Sequence, residues 1–125
     1  MANGPSYGFD TLQIHAGSSP DPATGSRQTP IYQSTAFVFQ NSEHAARLFN
    51  LQEVGYIYSR LTNPTIATLQ ERIAVLEGGV GAVCCSSGHA AQIMALFPLM
   101  KPGKNIIVST RLYGGTVTQF SNTIK

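Results

Sequence analysis

Two serines and a glycine follow a short apolar run near the middle of the chain, in the segment Ser86-Ser87-Gly88-His89. Gly88 lets a ligand approach the backbone closely, and the beginning of a helix presents unpaired N–H groups at a positive dipole end. Ser87 adds a hydroxyl group, so the segment is suited to binding a phosphate. The same pattern is also an ordinary helix cap, and this segment alone leaves both interpretations open.

A second segment, Tyr113-Gly114-Gly115-Thr116, places an aromatic side chain next to permissive backbone. The Tyr113 ring can stack on the face of a flat cofactor. The alternative is a half-buried tyrosine at a turn, and this segment taken alone favours that alternative.

In the third segment, residues 55–65, Tyr58 and Arg60 are two positions apart. Side chains at this spacing point the same way in extended backbone. Both can therefore reach one anion, to which the guanidinium offers a fork of hydrogen-bond donors. The alternative is a surface arginine beside a packed tyrosine.

The clearest helix is predicted directly after this third segment, over residues 64–77. Asn63 can cap it, and Pro64 falls at the first helical position, where a missing N–H costs nothing. Two glycines at positions 78 and 79 end the helix. Its large aliphatic residues recur at steps of three and four, which predicts one apolar stripe: Ile66, Leu69, Ile73 and Leu76.

The residues before this helix are predicted to be mostly irregular. Prolines and glycines in residues 17–34 predict an extended arm rather than a regular element. Residues 35–39 form a short β-prone run, and Ser42 is the predicted N-cap of a short helix that reaches Leu48. A loop over residues 52–62 follows.

The second half of the chain alternates between strand-like and helix-like segments. Apolar runs at residues 80–85 and 105–109 predict buried strands, and residues 88–100 predict a helix that Pro98 ends early. A turn at residues 101–103 and a helix from Gly114 complete the order. The pattern indicates an α/β fold with a doubly wound, mostly parallel sheet that is incomplete in this chain. In such sheets, ligands bind beyond the carboxyl ends of the strands, where the first two segments fall.

Composition excludes several classes of protein. Hydrophobic residues at 42% and charged residues at 11% describe a folded, globular chain. A net charge of +2, carried by scattered Lys and Arg, argues against nucleic acid as a partner. No apolar run approaches the ~18 residues of a membrane span, and the first ten residues contain no apolar signal region, so we expect a cytoplasmic protein.

The adjacent Cys84 and Cys85 are expected to be small buried hydrophobes, and no metal site is predicted.

Taken together and in this order, the segments resemble the Cys/Met-metabolism family of pyridoxal-phosphate enzymes. The resemblance covers most of the chain, from residue 11 to Phe120, and it is most like the O-acetylhomoserine sulfhydrylase branch. The motifs that carry it are Thr11–Gly17, Pro30–Thr35, Glu43–Phe49, Tyr58-Ser-Arg60-x-x-Asn63-Pro64-Thr65, Leu76–Gly79, Ser86-Ser87-Gly88-x-Ala90-Ala91 and Leu112–Thr116.

The resemblance implies the fold and the domain organisation. Residues 1–62 would form an extended N-terminal arm with short helices that contributes to the neighbouring subunit. Residues 63–125 would begin the pyridoxal-phosphate-binding large domain of the aspartate aminotransferase-like transferases, known as fold type I, and would leave it incomplete. A homodimer or tetramer with shared active sites is the implied assembly.

The resemblance also implies roles for site residues. Ser87, Gly88 and the backbone N–H of His89 would cradle the phosphate of pyridoxal 5′-phosphate. Tyr113 would stack on the pyridine ring and would be a catalytic residue that handles a proton at the substrate amine. Tyr58 and Arg60 would bind the cofactor phosphate of the neighbouring subunit.

The implied reaction is a γ-replacement of acetate by sulfide in an amino acid ester, which gives homocysteine. The Ser-x-Thr-Lys segment that carries the family's Schiff-base lysine does not occur in these 125 residues, so we expect the isolated chain to be inactive. Within the family, cystathionine γ-synthase and methionine γ-lyase are the alternatives. Methionine γ-lyases typically carry a cysteine at the position of Gly115, which weighs against that alternative. An alternative from another class is a non-catalytic phosphate-binding or interaction fragment.

Overall fold

The computed structural model describes residues 7–124, which divide into one unit that ends at Val83 and another that begins at Cys84. The predicted domain boundary between residues 62 and 63 stays a prediction. The described residues form five α-helices and one π-helix, in this order: α1 (Phe9–His15), α2 (Ser42–Phe49), α3 (Pro64–Leu76), α4 (Gly88–Leu96), α5 (Gly114–Thr118) and the π-helix (Gln119–Thr123).

Helix α3 confirms the prediction made from its caps. The Asn63 side chain accepts a hydrogen bond from the Thr65 N–H at 2.9 Å, and Pro64 occupies the first turn. Gly78, with φ +66°, follows the last turn, and the Gly79 N–H donates to the Ala74 carbonyl at 2.8 Å. Glycine adopts this left-handed backbone without the steric cost that other residues have.

The arm over residues 17–34 contains no helix or strand, as predicted. It lies along α3 and is held there by directed polar contacts. Arg72 donates to the Ala16 carbonyl at 2.8 Å and to the Ser18 hydroxyl at 2.7 Å. Further along, the Tyr32 N–H donates to Thr65 Oγ1 at 2.9 Å. Hydrogen bonds therefore fix the path of a segment that has no secondary structure of its own.

The β-prone run at residues 35–39 makes one antiparallel bridge, between Ala36 and Tyr58. The prediction of Ser42 as the N-cap of the next helix is wrong by one residue. Asn41 is the cap of α2, and its side chain accepts from the His44 N–H at 2.8 Å. An asparagine at this place caps as well as a serine does.

The predicted helix and turn of the second unit are confirmed. Helix α4 ends at Leu96, two residues before Pro98, because proline has no N–H group with which to continue the hydrogen-bond ladder of the helix. At the turn, the Lys104 N–H donates to the Lys101 carbonyl at 2.9 Å, and Gly103 has φ +81°. Helix α5 begins at Gly114, as expected.

The two predicted strands have no regular secondary structure among the described residues, so the parallel sheet stays a prediction. The expected burial of these runs is wrong here. Val80 and Ile107 are fully exposed, and Cys84 and Cys85 are exposed rather than buried. Strands of a parallel sheet are buried only when neighbouring strands and helices cover both faces. Burial of this kind depends on partners far away in sequence.

The predicted apolar stripe of α3 is likewise half exposed. Ile66, Leu69 and Ile73 are between 42% and 50% exposed. The preceding segment contacts the helix through Thr65, Thr68 and Arg72 instead. The buried apolar residues of the described chain are Leu48 and Ala74. Among the described residues, every helix is too short or too polar to cross a lipid bilayer.

Candidate functional site

The segment 86–89 is the beginning of helix α4, and its geometry suits an anion. Ser87 is the N-cap, and its hydroxyl oxygen accepts from the Ala90 N–H at 3.1 Å. Within residues 7–124, the N–H groups of Gly88 and His89 donate to no protein acceptor. The first turn of this nine-residue helix therefore presents two free amide donors at the positive end of the helix dipole.

The space in front of this turn is open to a ligand. A Cβ atom built on Gly88 meets no atom within 4 Å, and Gly88 does not have the left-handed backbone that demands glycine. The Ser87 hydroxyl accepts the capping bond but keeps its own proton, which it can donate. Two amides and one hydroxyl thus fit a phosphate group at this position.

Tyr113 precedes helix α5, and its backbone carbonyl accepts from the Thr116 N–H at 2.9 Å. Its side chain is 77% exposed. The ring contacts His89, with the two ring centroids 5.9 Å apart and an interplanar angle of 40°. The structure therefore brings four predicted site residues together in the second unit, namely Ser87, Gly88, His89 and Tyr113.

Tyr58 and Arg60 lie in the first unit and contact each other. The Arg60 guanidinium carbon lies 5.4 Å from the centroid of the Tyr58 ring, within the range of a cation–π interaction. Both side chains are exposed. No carboxylate in the described part of the chain forms an ion pair with Arg60, which leaves its donors available to an anion.

The loop that carries this pair is fixed on both sides. The Ser59 N–H donates to the Thr35 carbonyl at 2.9 Å, next to the Ala36–Tyr58 bridge. The Asn63 side chain donates to Ser59 Oγ at 2.9 Å. The cap of α3 therefore also positions the Tyr58–Arg60 loop.

Sequence reasoning missed three polar residues that join α4 to the segment after Tyr113. Gln92 donates from Nε2 to Thr116 Oγ1 at 2.9 Å, and Thr116 is only 4% exposed. Gln119 donates from Nε2 to the His89 carbonyl at 3.3 Å. No local pattern in the sequence marks these residues, because each hydrogen bond joins positions more than twenty apart.

Two carboxyl groups of the first unit have pKa values below their ordinary range. Hydrogen bonds from Thr24 lower the pKa of Asp21, and a hydrogen bond from the Arg47 guanidinium lowers the pKa of Glu53. Neither carboxyl belongs to the candidate site. Asp21 is held by the turn that it forms with Thr24, and Glu53 by its ion pair with Arg47.

A sequence profile of the Cys/Met metabolism PLP-dependent enzymes, where PLP is pyridoxal 5′-phosphate, matches residues 10–125. The chain belongs to this family. All seven predicted motifs fall inside the matched range. The free donors at the start of α4 agree with a family whose cofactor carries a phosphate.

Several proteins with sequences or structures similar to this chain are O-acetylhomoserine sulfhydrylases or related PLP-dependent enzymes. The O-acetyl-L-homoserine sulfhydrylase 1 of Thermus thermophilus is 55% identical over 117 residues, which make up 94% of this chain and 28% of that protein. A Campylobacter jejuni protein assigned as an O-acetylhomoserine (thiol)-lyase has 44% identity and a TM-score of 0.89, over 95% of this chain and 29% of that chain. Its structure contains N′-pyridoxyl-lysine-5′-monophosphate.

A cystathionine γ-lyase from Lactobacillus plantarum, solved in complex with L-serine, is 35% identical with a TM-score of 0.77. It is matched over 94% of this chain and 28% of its own length. The fold of the described residues is thus shared by PLP-dependent family members that carry different activities. The chain spans less than a third of the length of each of these proteins.

Proposed function

We propose that the complete protein containing this chain is a PLP-dependent O-acetylhomoserine sulfhydrylase. The observation that carries the proposal is the 55% identity, over 94% of the chain, with an enzyme of that name. The reaction replaces the acetate on the γ-carbon of O-acetylhomoserine by sulfide. The carbon–oxygen bond breaks, a carbon–sulfur bond forms, and homocysteine and acetate are the products.

In this proposal, the beginning of α4 holds the cofactor phosphate. Gly88 and His89 donate their backbone N–H groups, and Ser87 donates its hydroxyl proton. The free donors and the open space at Gly88 support this role. When bound, pyridoxal phosphate supplies an electron sink that stabilises negative charge on the substrate carbons.

Tyr113 serves in this proposal as the platform for the cofactor ring and as a proton carrier at the substrate amine. Its exposed ring, placed beside the start of α4 by contact with His89, supports the platform role. Its hydroxyl both donates and accepts, as a proton carrier requires.

Gly115 favours sulfhydrylation over methionine cleavage. A Cβ atom at this position lies 2.7 Å from His89 Cε1 and 2.8 Å from Tyr113 Cε1, closer than such atoms approach in proteins. A cysteine of the kind that methionine γ-lyases carry there therefore requires a different placement of these rings. The local packing supports the sulfhydrylase branch of the family.

The experiment compares two reactions of the complete protein loaded with pyridoxal phosphate. We expect kcat/KM for O-acetylhomoserine with sulfide to exceed kcat/KM for the cleavage of methionine. O-succinylhomoserine with cysteine tests the cystathionine γ-synthase alternative in the same assay. If kcat/KM is larger for methionine cleavage, the branch assignment is wrong and the γ-lyase alternative replaces it.

We further propose that Tyr58 and Arg60 serve the cofactor of a neighbouring subunit in a homo-oligomer. The exposed pair with unpaired guanidinium donors supports this role. The test mixes two nearly inactive variants of the complete protein, one with Arg60→Ala and one without the cofactor-binding lysine. Activity returns if one site combines an intact lysine with Arg60 from the other chain. Confirmed mixed oligomers without activity contradict the shared site.

We also propose that residues 80–85 and 105–109 are strands of a parallel, doubly wound sheet in a cytoplasmic protein. The likeness to solved members of the family supports the sheet. Slow amide hydrogen exchange over both runs in the complete protein is the expected result. Fast exchange over both runs contradicts the sheet.

The competing function from another class is a phosphate-binding fragment without catalysis. The free amide donors at the start of α4 are the observation that supports it, since they can bind a phosphate without catalysis. It predicts binding of pyridoxal phosphate with no turnover of any amino acid ester. Turnover by the complete protein excludes it.

A further inference from the structure

The ring of His89 packs against the ring of Tyr113. The centroid distance of 5.9 Å and the interplanar angle of 40° lie within the range in which aromatic pairs attract each other. Because Tyr113 is 77% exposed, this contact is a main restraint on the position of its ring.

Gly115 provides the space that this ring pair occupies. A Cβ atom at residue 115 lies 2.7 Å from His89 Cε1, 2.9 Å from His89 Nε2 and 2.8 Å from Tyr113 Cε1. Gly115 is not among the described residues with positive φ, so its backbone does not demand glycine. Glycine is an unfavourable residue inside a helix. The packing of the two rings is therefore the physical reason for glycine at this position.

A hydrogen bond holds the backbone of His89 to the same segment. Gln119, the first residue of the π-helix, donates from Nε2 to the His89 carbonyl at 3.3 Å. The Gln92–Thr116 hydrogen bond of 2.9 Å lies one turn further along α4. The first turn of α4 and the Tyr113 segment are thus joined through both backbone and side chains.

We propose that His89 is a positioning residue that sets the Tyr113 ring in place. Glycine at position 115 leaves the space that the imidazole ring occupies. The first turn of α4 and the Tyr113 ring then form one preorganised unit. The inference rests on the proposed function, in which that turn holds the cofactor phosphate and Tyr113 lies on the cofactor ring. It assigns the His89 side chain a role beyond that of its backbone N–H.

The test is a double-mutant cycle in the complete protein, with Gly115→Ala, His89→Ala and the combination. Two quantities are measured: the Kd for pyridoxal phosphate and the circular dichroism that the protein induces in the cofactor absorption band. We expect each single change to weaken binding about two- to tenfold, the range for loss of one aromatic pair, and to alter the induced band. In the His89→Ala background, Gly115→Ala is expected to have a smaller effect than it has alone, because the His89 ring, one of the two rings that the added methyl group meets, is gone.

Two further variants keep the test independent of folding. Gly114→Ala adds the same methyl group at the neighbouring helical position, where a Cβ atom meets nothing within 4 Å, and is expected to change neither quantity. His89→Gln retains a polar side chain without a ring and is expected to behave like His89→Ala. Additive single effects, or a wild-type induced band in His89→Gln, overturn the proposal.

Failure of the proposed reaction leaves this cycle intact, because the cycle measures cofactor binding and not turnover. Failure of the proposed cofactor site is seen when the wild-type protein binds no pyridoxal phosphate. In that case, crystal structures of the unliganded wild type and of His89→Ala decide the inference. A Tyr113 ring that moves in the variant supports the positioning role. A ring that stays in place overturns it.

Discussion

The two candidate binding segments are positioned in different ways. In the first unit, the loop with Tyr58 and Arg60 is held by directed polar contacts that run from the arm through Asn63. In the second unit, the start of α4 is positioned by its own helical backbone and by the packing of His89 on Tyr113. The first arrangement depends on side-chain hydrogen bonds to Asn63, and the second on the backbone of a helix start together with one ring contact.

The difference determines how each segment responds to mutation. Asn63 is 6% exposed, and its side chain donates to both the Tyr32 carbonyl and Ser59 Oγ. Loss of a buried side chain that makes several hydrogen bonds leaves several groups unpaired at once. The start of α4 does not depend on one such side chain, since its amide donors belong to the backbone. Single substitutions are therefore expected to damage the first region more.

Gly17→Ala is expected to have the largest effect on the first region. Gly17 has φ +70°, and a Cβ atom there lies 2.6 Å from the backbone carbonyl oxygen of Thr68. Left-handed strain and the clash together are expected to destabilise the packing of the arm on α3 by about 2–4 kcal/mol. Hydrogen exchange of the α3 amides in the complete protein measures this change.

Gly25→Ala is the matched control for Gly17→Ala. Gly25 has φ +71°, but a Cβ atom there meets nothing within 4 Å. Only the left-handed strain of about 1–2 kcal/mol remains. Equal effects of the two substitutions would show that the arm is not held against α3 as described.

Asn63→Ala is expected to cost about 2–3 kcal/mol of local stability, because the α3 cap and two hydrogen bonds disappear together. Asn41→Ala removes only the cap of α2 and is expected to cost about 1 kcal/mol. Urea denaturation and exchange of the amides in each helix measure both changes. If Asn63→Ala costs no more than Asn41→Ala, the two additional hydrogen bonds of Asn63 do not stabilise the first region as described.

The smallest expected effect concerns the Arg47–Glu53 ion pair, in which the two side chains are 2.8 Å apart. The pKa of Glu53 is lowered in the folded state, so the folded state binds a proton less readily than the unfolded state does. The contribution to stability is therefore present above the unfolded pKa and is lost as the pH falls through the folded pKa. Glu53→Gln is expected to destabilise slightly at pH 7 and not at pH 3, as denaturation at both values can show.

Local features could be predicted from the sequence, because their causes lie within a few residues. Asn63, Pro64 and the glycines after Leu76 set both ends of α3, and Pro98 ends α4. The cap of α2 was misplaced by one residue because Asn41 and Ser42 are both good caps. The burial of the two apolar runs was wrong for the described chain, since burial depends on distant partners that a local pattern does not name.

The same distinction applies to the candidate site. The start of α4 was predicted because serine and glycine are typical of the beginning of a helix, and Ser87 does cap it. The contact of His89 with Tyr113 and the bond from Gln119 join residues more than twenty positions apart. Contacts of this kind follow from the fold and leave no signature in spacing.

The central proposal is that the start of α4 binds the phosphate of pyridoxal phosphate in its own subunit and that Arg60 binds the phosphate held by a neighbouring subunit. The most direct measurement compares the Kd for pyridoxal phosphate with the Kd for pyridoxal, which lacks the phosphate, in the complete protein and in Arg60→Ala. Loss of the guanidinium is expected to weaken binding of the phosphorylated form by on the order of 1.5–3 kcal/mol and to leave pyridoxal unchanged. Arg60→Lys is expected to restore only part of the loss, and Arg47→Ala, which removes an equal charge elsewhere, to change neither Kd. Equal weakening of both ligands by Arg60→Ala, or no change in either, contradicts the claim.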